Sequence, residues 1–258
     1  MPSCRVAVLE ADPELRAESN AWTQLTDELA RTQPDLLVLN ELPFGPWLAA
    51  RTQFDPAAWA TSIADHNAAL AALPELGVPV VIGTRAADLE GKRCNQAFVW
   101  TPDAGAVFPH TKQHIPNSHG YHESTWTEPG PTRFEIVDAG QLRVGILICT
   151  DIMFTEHAHA YGRAGVDLIA VPRATPHGAA AIFDTALRMT AIVSGCYVAS
   201  SNRGGRDSSG EAFGGRGCVF DPMGDSVGQT SAHQRLIVHE ISTEYVAWKK
   251  SVYPCNVD

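Results

Sequence analysis

Apolar residues along this chain fall into short β-branched runs separated by longer alanine-rich stretches, and run length with flanking breakers distinguishes strands from helices. Arg5-Val6-Ala7-Val8-Leu9 reads as a first strand, residues 13–32 as a helix with Pro13 near its start, and Asp35-Leu36-Leu37-Val38-Leu39 as a second strand. Residues 56–73 then read as a helix and 78–84 as a buried strand, the alternation that a sheet flanked by helices requires. Over 94–102 and 133–149, strands follow one another through Pro102-Asp103-Ala104-Gly105 and Asp138-Ala139-Gly140. Alternation resumes after Cys149, with helices at 154–164 and 178–194 and strands at 167–171 and 197–200. In the tail, Gly217-Cys218-Val219-Phe220, Asp221-Pro222-Met223-Gly224 and residues 234–241 read as hairpin-linked strands, before a last helix at 243–251.

Between the two strand-rich stretches lie roughly 20 residues without clear periodicity, rich in His, Pro, Asn and Gly, a length at which a loop more often serves a site than merely connects. No linker, low-complexity tract or repeat divides the chain, so residues 1–258 read as a single α/β domain.

Composition narrows the class. With 45% hydrophobic, 19% charged and 8% aromatic residues the chain is a globular protein able to bury a real core. A formal charge of -10, with 29 acidic against 19 basic residues, argues against nucleic acid or anionic membranes and for a small-molecule partner. No apolar run approaches the roughly 20 residues that span a bilayer. The opening Met1-Pro2-Ser3-Cys4-Arg5-Val6 lacks the apolar stretch and cleavage site of a signal peptide, so a cytoplasmic location is expected. Six cysteines (Cys4, Cys94, Cys149, Cys196, Cys218 and Cys255) without Cys-x-x-Cys pairs read as free thiols, not as disulfides or a zinc site.

One of them is placed for chemistry. Leu142-Arg143-Val144-Gly145-Ile146-Leu147-Ile148-Cys149-Thr150-Asp151 is an apolar strand ending in a cysteine, followed at once by polar residues and a helix. Ligands bind at strand ends in α/β proteins, and backbone N–H groups at such a turn favour a thiolate and can hold an oxyanion. A buried structural cysteine fits the same spacing. Leu36-Leu37-Val38-Leu39-Asn40-Glu41 repeats the arrangement with a carboxylate at the strand end, suited either to general base work or to a solvated loop mouth. Lys112 and Glu123 both lie in the long irregular segment, Glu123 among aromatic residues able to shield it from water.

Taken together, these segments resemble the nitrilase superfamily of carbon-nitrogen hydrolases, whose glutamate, lysine and cysteine occur in that chain order. The resemblance rests on Asn40-Glu41-Leu42-Pro43-Phe44-Gly45, Lys112-Gln113-His114-Ile115-Pro116, Tyr121-His122-Glu123 with Trp126 and Pro129-Gly130, and Gly145-Ile146-Leu147-Ile148-Cys149-Thr150-Asp151. It continues through Asp167-Leu168-Ile169-Ala170-Val171-Pro172, the helix bearing Arg188 and Ala191, and Ser200-Ser201-Asn202-Arg203 before a glycine-rich loop.

The resemblance implies a four-layer αββα sandwich, dimerisation through helices near the nucleophile and the C-terminal segment, and hydrolysis of a small amide or N-carbamoyl compound without a cofactor or metal. In that reading Cys149 attacks, Glu41 is the base, Lys112 and the Thr150 backbone N–H hold the oxyanion, and Glu123 orients Lys112 or the substrate. Tyr121, Trp126 and Arg173 are the expected substrate contacts, with Arg173 meeting a substrate carboxylate or forming a structural ion pair. Thr150-Asp151-Ile152-Met153-Phe154-Thr155-Glu156 departs from the family's Tyr-Asp-x-Arg-Phe-Pro-Glu-like run and from the Trp-Glu of nitrilases, which points to the amidase and carbamoylase branches. The alternatives are a nitrilase acting with the same residues, and a non-catalytic relative that binds a small molecule.

Overall fold

The computed structural model describes residues 3–13, 15–208 and 210–257. Met1 and Pro2 of the N-terminal reading, Glu14 within the expected first helix, Ser209 and Asp258 lie outside the described residues. In chain order, β1 (Ser3–Ala11), α1 (Asn20–Thr32), β2 (Leu36–Val38), α2 (Pro56–Ala72), β3 (Val80–Leu89), β4 (Lys92–Thr101) and β5 (Gly105–Val107) come first. The short α3 (Glu123–Trp126) precedes β6 (Val137–Ala139), β7 (Leu142–Ile146), α4 (Thr155–Arg163), β8 (Leu168–Ala170), α5 (Ala180–Ser194) and β9 (Tyr197–Ser200). The chain continues through β10 (Asn202–Arg206), β11 (Ala212–Gly214), β12 (Cys218–Phe220), β13 (Ser226–Gln229), β14 (Leu236–Ser242) and α6 (Thr243–Lys250).

Two sheets result, one ordered β11-β10-β1-β2-β3-β4-β5 with β14 also on β1, the other β13-β12-β9-β8-β7-β6. Their centres, β10-β1-β2-β3 and β7-β8-β9, are parallel, and the strands paired outside them, β14, β4, β11, β6 and β12, are antiparallel to their neighbours. Side-chain alternation decides how the layers stack. Val6, Val8, Leu36, Val38, Val80 and Ile82 point from the first sheet into a core shared with Val144, Ile146, Leu168 and Val198 of the second. Their neighbours Ala7, Leu9, Leu37, Leu39 and Val81 point the other way, against Leu25 and Leu29 of α1 and Ala69 of α2. On the far side α4 and α5 cover the second sheet through Ala158, Tyr161, Leu187 and Ala191. This is the expected αββα sandwich. Each fully buried Val or Leu contributes about 1.5–3 kcal/mol, and a one-residue slip would exchange the faces of a whole strand, so the register is tightly held. No helix among the described residues is long and apolar enough to cross a membrane.

Five expectations are corrected. The first helix begins at Asn20, not Pro13, because Ser19 caps it by accepting the Trp22 N–H at 3.1 Å, and the preceding loop buries Leu15 instead. The third strand does not stop at Thr84 but runs to Leu89, paired with β4 through to Leu89 opposite Lys92, where Glu90 and Gly91 turn with φ of 52° and 80°. Asp221-Pro222-Met223-Gly224 is a turn, not a strand: Asp221 accepts the Met223 and Asp225 N–H groups at 2.9 Å. The last strand, β14, joins no hairpin but crosses to the first sheet and pairs antiparallel with β1. The glycine-rich loop after Arg203 likewise forms the β10–β11 hairpin, in which Gly204 faces Gly214.

The strand leading to Cys149 is clamped from outside. A Cβ on Gly145 would sit 2.8 Å from the Tyr161 ring, so only glycine lets α4 approach this closely. The Tyr161 hydroxyl then donates to the Ile146 carbonyl at 3.1 Å and accepts the Ile146 N–H at 3.3 Å.

Candidate active site

Cys149 leaves the second sheet at the carboxyl end of β7. Its own N–H donates to the Pro172 carbonyl at 2.9 Å, extending the parallel pairing with β8, and the chain then turns into a 3-10 segment over Cys149–Met153 that also holds Thr150. Cys149 takes a φ of 46°, in the left-handed region that a side chain rarely occupies, at a cost of order 1–3 kcal/mol. That turn swings the thiol off the line of the strand. The residue is 3% exposed.

Glu41 arrives from the first sheet, two residues after the Leu39 N–H pairs with the Ile82 carbonyl at 2.7 Å. Its N–H reaches across to the Arg173 carbonyl at 3.3 Å, so the ends of β2 and β8 meet at the site. Leu42 follows with a φ of 41°, its carbonyl held by the buried guanidinium of Arg203. Lys112 is pinned to β4 by its N–H, which donates to the Asn95 carbonyl at 2.9 Å. Glu123 opens α3, whose single turn is closed by the Thr127 N–H on the Glu123 carbonyl at 2.8 Å.

The side chains converge. The Lys112 ammonium donates to Glu41 Oε1 at 2.6 Å and to Glu123 Oε2 at 2.5 Å, with Lys112 and Glu41 fully buried and Glu123 nearly so. Asn95 Nδ2 donates to the same Oε1 at 2.8 Å, and the Ala174 N–H donates to Glu41 Oε2 at 3.2 Å. That Ala174 N–H also reaches the Cys149 thiol, which puts sulfur and Oε2 on one donor. Glu123 Oε1 and the Tyr121 hydroxyl are buried without a hydrogen-bond partner in the structure.

Burial and charge work against each other here. Burial favours the neutral amine of Lys112, but the Glu123 and Glu41 charges outweigh it and hold the ammonium well above its ordinary value. Burial raises the Glu123 carboxyl from 4.5 to about 8, Lys112 opposing and Glu41 assisting. The Cys149 thiol is pushed well above its usual range by burial and by the Glu41 charge, with Lys112 pulling only partly against them. The expected preference for thiolate is therefore reversed in the resting protein. Such a thiol needs a base at the moment of attack.

The remaining expected residues divide. Tyr121 stands within electrostatic reach of Cys149, Glu41 and Glu123, its ring 5.7 Å from Trp47. Trp126 is 2% exposed and packs behind Glu123, its indole N–H donating to the Arg51 carbonyl at 3.0 Å and its ring edge-on to Phe54. It lines a small cavity together with Glu123, Leu42 and Trp47. Arg173 departs from expectation: its buried guanidinium donates to Ser200 Oγ at 2.9 Å, Thr175 Oγ1 at 3.0 Å and the Arg216 carbonyl at 2.5 Å. It knits the strand ends together and, among the described residues, is held by these hydrogen bonds and not by an ion pair. Four groups escape the sequence reading: Asn95, the Ala174 N–H, Asp151 and His110, which donates to Asp151 Oδ2 at 2.8 Å. Only Asp151 carried a signal, its place in the cysteine segment. Among the described residues no trio of His, Cys, Asp and Glu converges as metal ligands.

Comparison with known proteins follows the geometry. The family model described as carbon-nitrogen hydrolase matches residues 5–250. The chain is 26% identical over 179 residues to the omega-amidase NIT2 of Xenopus tropicalis, covering 67% of this chain and 64% of that protein, and so spans under two thirds of that relative's length. It is 30% identical over 141 residues to the deaminated glutathione amidase of Mus musculus, covering 54% of this chain and 44% of that one. Among solved structures, a carbon-nitrogen hydrolase from Helicobacter pylori G27 superposes with a TM-score of 0.83 at 21% identity, over 100% of this chain and 95% of the other. An amidase from Nesterenkonia sp., with a TM-score of 0.78 at 18% identity, covers 95% of this chain and 92% of its own. At these identities the solved structures speak to the fold.

Proposed function

The chain belongs to the carbon-nitrogen hydrolase family, and on that premise we propose that it hydrolyses a small amide through a thioester on Cys149, releasing ammonia or an amine. Glu41 takes the thiol proton through Oε2 as sulfur bonds to the carbonyl carbon. Lys112 and the Thr150 N–H hold the resulting oxyanion. The tetrahedral centre collapses, the carbon–nitrogen bond breaks, and Glu41 returns its proton to the departing nitrogen. Water, deprotonated by Glu41, then attacks the thioester, freeing the acid and restoring the thiol.

What carries this reading is one buried ammonium gripped by two carboxylates, one of which, Glu41, shares a backbone donor with the cysteine sulfur. Anchoring Glu41 on Oε1 by Lys112 and Asn95 leaves Oε2 as the oxygen turned to the thiol. Glu123 binds Lys112 through Oε2 and, holding its own proton near neutral pH, offers Oε1 to the substrate. Tyr121 presents its unpaired hydroxyl to the same space.

Relatives named omega-amidase and deaminated glutathione amidase support an amide in preference to a ureide or nitrile. The test is ammonia release from primary amides, N-carbamoyl compounds and nitriles by the wild type and by Cys149→Ala. Turnover of amides by the wild type alone supports the proposal, and turnover of nitriles alone replaces it with a nitrilase. We also propose a homodimer seated on the α4–α5 face, where Ile182 is 62% and Met189 45% exposed beside Ile152 and Met153. Light scattering of the wild type and Ile182→Asp checks this, a monomeric wild type excluding it.

A further inference from the structure

A single buried carboxylate spans the two halves of the candidate site. Asp151, two residues after Cys149, is fully buried and makes four contacts. Its Oδ2 accepts from His110 Nε2 at 2.8 Å and from the Ile148 N–H at 3.2 Å, while Oδ1 accepts the N–H groups of Gln113 at 3.2 Å and His114 at 3.0 Å. These partners lie on both sides of Lys112 and immediately before Cys149. One side chain therefore ties the turn that carries the sulfur to the segment that carries the ammonium.

The proton count on His110 follows from its neighbours. Nε2 faces the Asp151 carboxylate, and Nδ1 faces the Arg133 carbonyl oxygen at 2.5 Å. A carbonyl oxygen only accepts, and a neutral imidazole has one N–H, so a neutral His110 would need Asp151 to supply the proton for the other contact. Asp151 is poorly placed to hold one, because its three remaining contacts are all backbone N–H donors, which favour the anion. Burial pushes the Asp151 carboxyl up, yet the His110 hydrogen bond and charge, with the Lys112 charge, outweigh it and leave it below its usual range.

We propose that His110 is a buried imidazolium which, paired with Asp151, positions Lys112 against Cys149. The proposal rests on the reading that these two residues act in the reaction. His110 is 1% exposed, and the Phe134 ring lies 4.4 Å from it. The titratable groups around the pair are Lys112 in the same segment, His114, which stacks on Phe154 at 3.4 Å, and His157 of α4, whose Nε2 is 3.1 Å from His114 Nε2. An asparagine at 151 would keep the Gln113 and His114 contacts through its oxygen but turn an NH2 group toward the Ile148 N–H. That forces His110 to become an acceptor at Nε2 and loosens the bridge. Misplacing reacting groups by about 1 Å costs on the order of 10²-fold in rate.

Nitrogen-15 NMR of histidine-labelled protein, with His110 assigned by its absence in His110→Phe, should show both ring nitrogens protonated at neutral pH. In Asp151→Asn only Nδ1 should remain protonated. Asp151→Asn should also lower kcat by on the order of 10²-fold with KM little changed, and slow alkylation of Cys149 by iodoacetamide. If Asp151→Asn does not fold, His110→Phe carries the kinetic test, because a ring of similar size retains the packing on Phe134. A wild-type His110 with one ring proton overturns the proposal whatever the activity, and so does either folded variant with wild-type kcat. Turnover surviving Cys149→Ala would instead defeat the reaction reading and leave the NMR result standing.

Discussion

Replacing Glu123 with glutamine keeps the shape of the side chain and removes its titration. Glu123 is 3% exposed, and burial lifts its carboxyl from 4.5 to about 8 against the pull of Lys112. Between those two values the folded chain holds a proton that the unfolded chain has released. The stability this group contributes is therefore complete below the unfolded value and lost as pH rises to about 8. Each pH unit inside the window is about 1.4 kcal/mol, so going from about pH 5.5 to about pH 7.5 should cost the wild type about 2–3 kcal/mol relative to Glu123→Gln. Urea unfolding of both proteins at the two pH values measures the difference, and titrating groups remote from Glu123 cancel in the comparison. If the two stabilities move in parallel with pH, Glu123 is not the protonated member of the cluster, and its proposed part as a donor to substrate fails with it.

Removing the ammonium has the opposite character. Lys112→Met leaves Glu41 and Glu123 facing each other without a counter-charge, so stability should fall by about 3–5 kcal/mol above about pH 8 and by less at lower pH, where Glu123 takes up a proton. Its kcat should fall at least 10²- to 10³-fold, on the order seen when one oxyanion donor is lost, and near-normal kcat in folded protein would remove Lys112 from the reaction. Asn95→Ala takes one of two donors from Glu41 Oε1. It should cost about 1–3 kcal/mol in urea melts and lower kcat with KM unchanged in steady-state assays. Tyr121→Phe removes a buried hydroxyl that has no partner, so thermal melts should show stability unchanged or improved, while KM rises about fivefold if the hydroxyl meets substrate; an unchanged KM denies that contact.

What the sequence makes legible is what repeats along a strand. Alternation over Val6 to Leu9 and Leu36 to Leu39 separates the two faces of the first sheet, and Glu41 and Cys149 follow directly where their strands run out. Lys112 and Glu123 lie in a segment with no period of its own, and only the order of motifs links them to the other two. Groups positioned by pairing stay hidden. Asn95 meets Glu41 because β4 is held in register on β3, and the Ala174 N–H because β8 ends beside β2, neither of which a linear pattern encodes. Side-chain direction is equally silent: Trp126 and Arg173 sit on the expected segments but pack behind Glu123 and into the strand ends. Boundaries failed where local chemistry overrode periodicity, as at the Ser19 cap and the Asp221 turn.

Rapid acid quench of the wild type during turnover of an amide, followed by mass spectrometry of the peptide containing Cys149, tests the proposed chemistry most directly. The account predicts an acyl adduct on that cysteine, formed together with one equivalent of ammonia or amine and absent from Cys149→Ala, which releases neither. Product release with no adduct on Cys149, or undiminished turnover by Cys149→Ala, would contradict it.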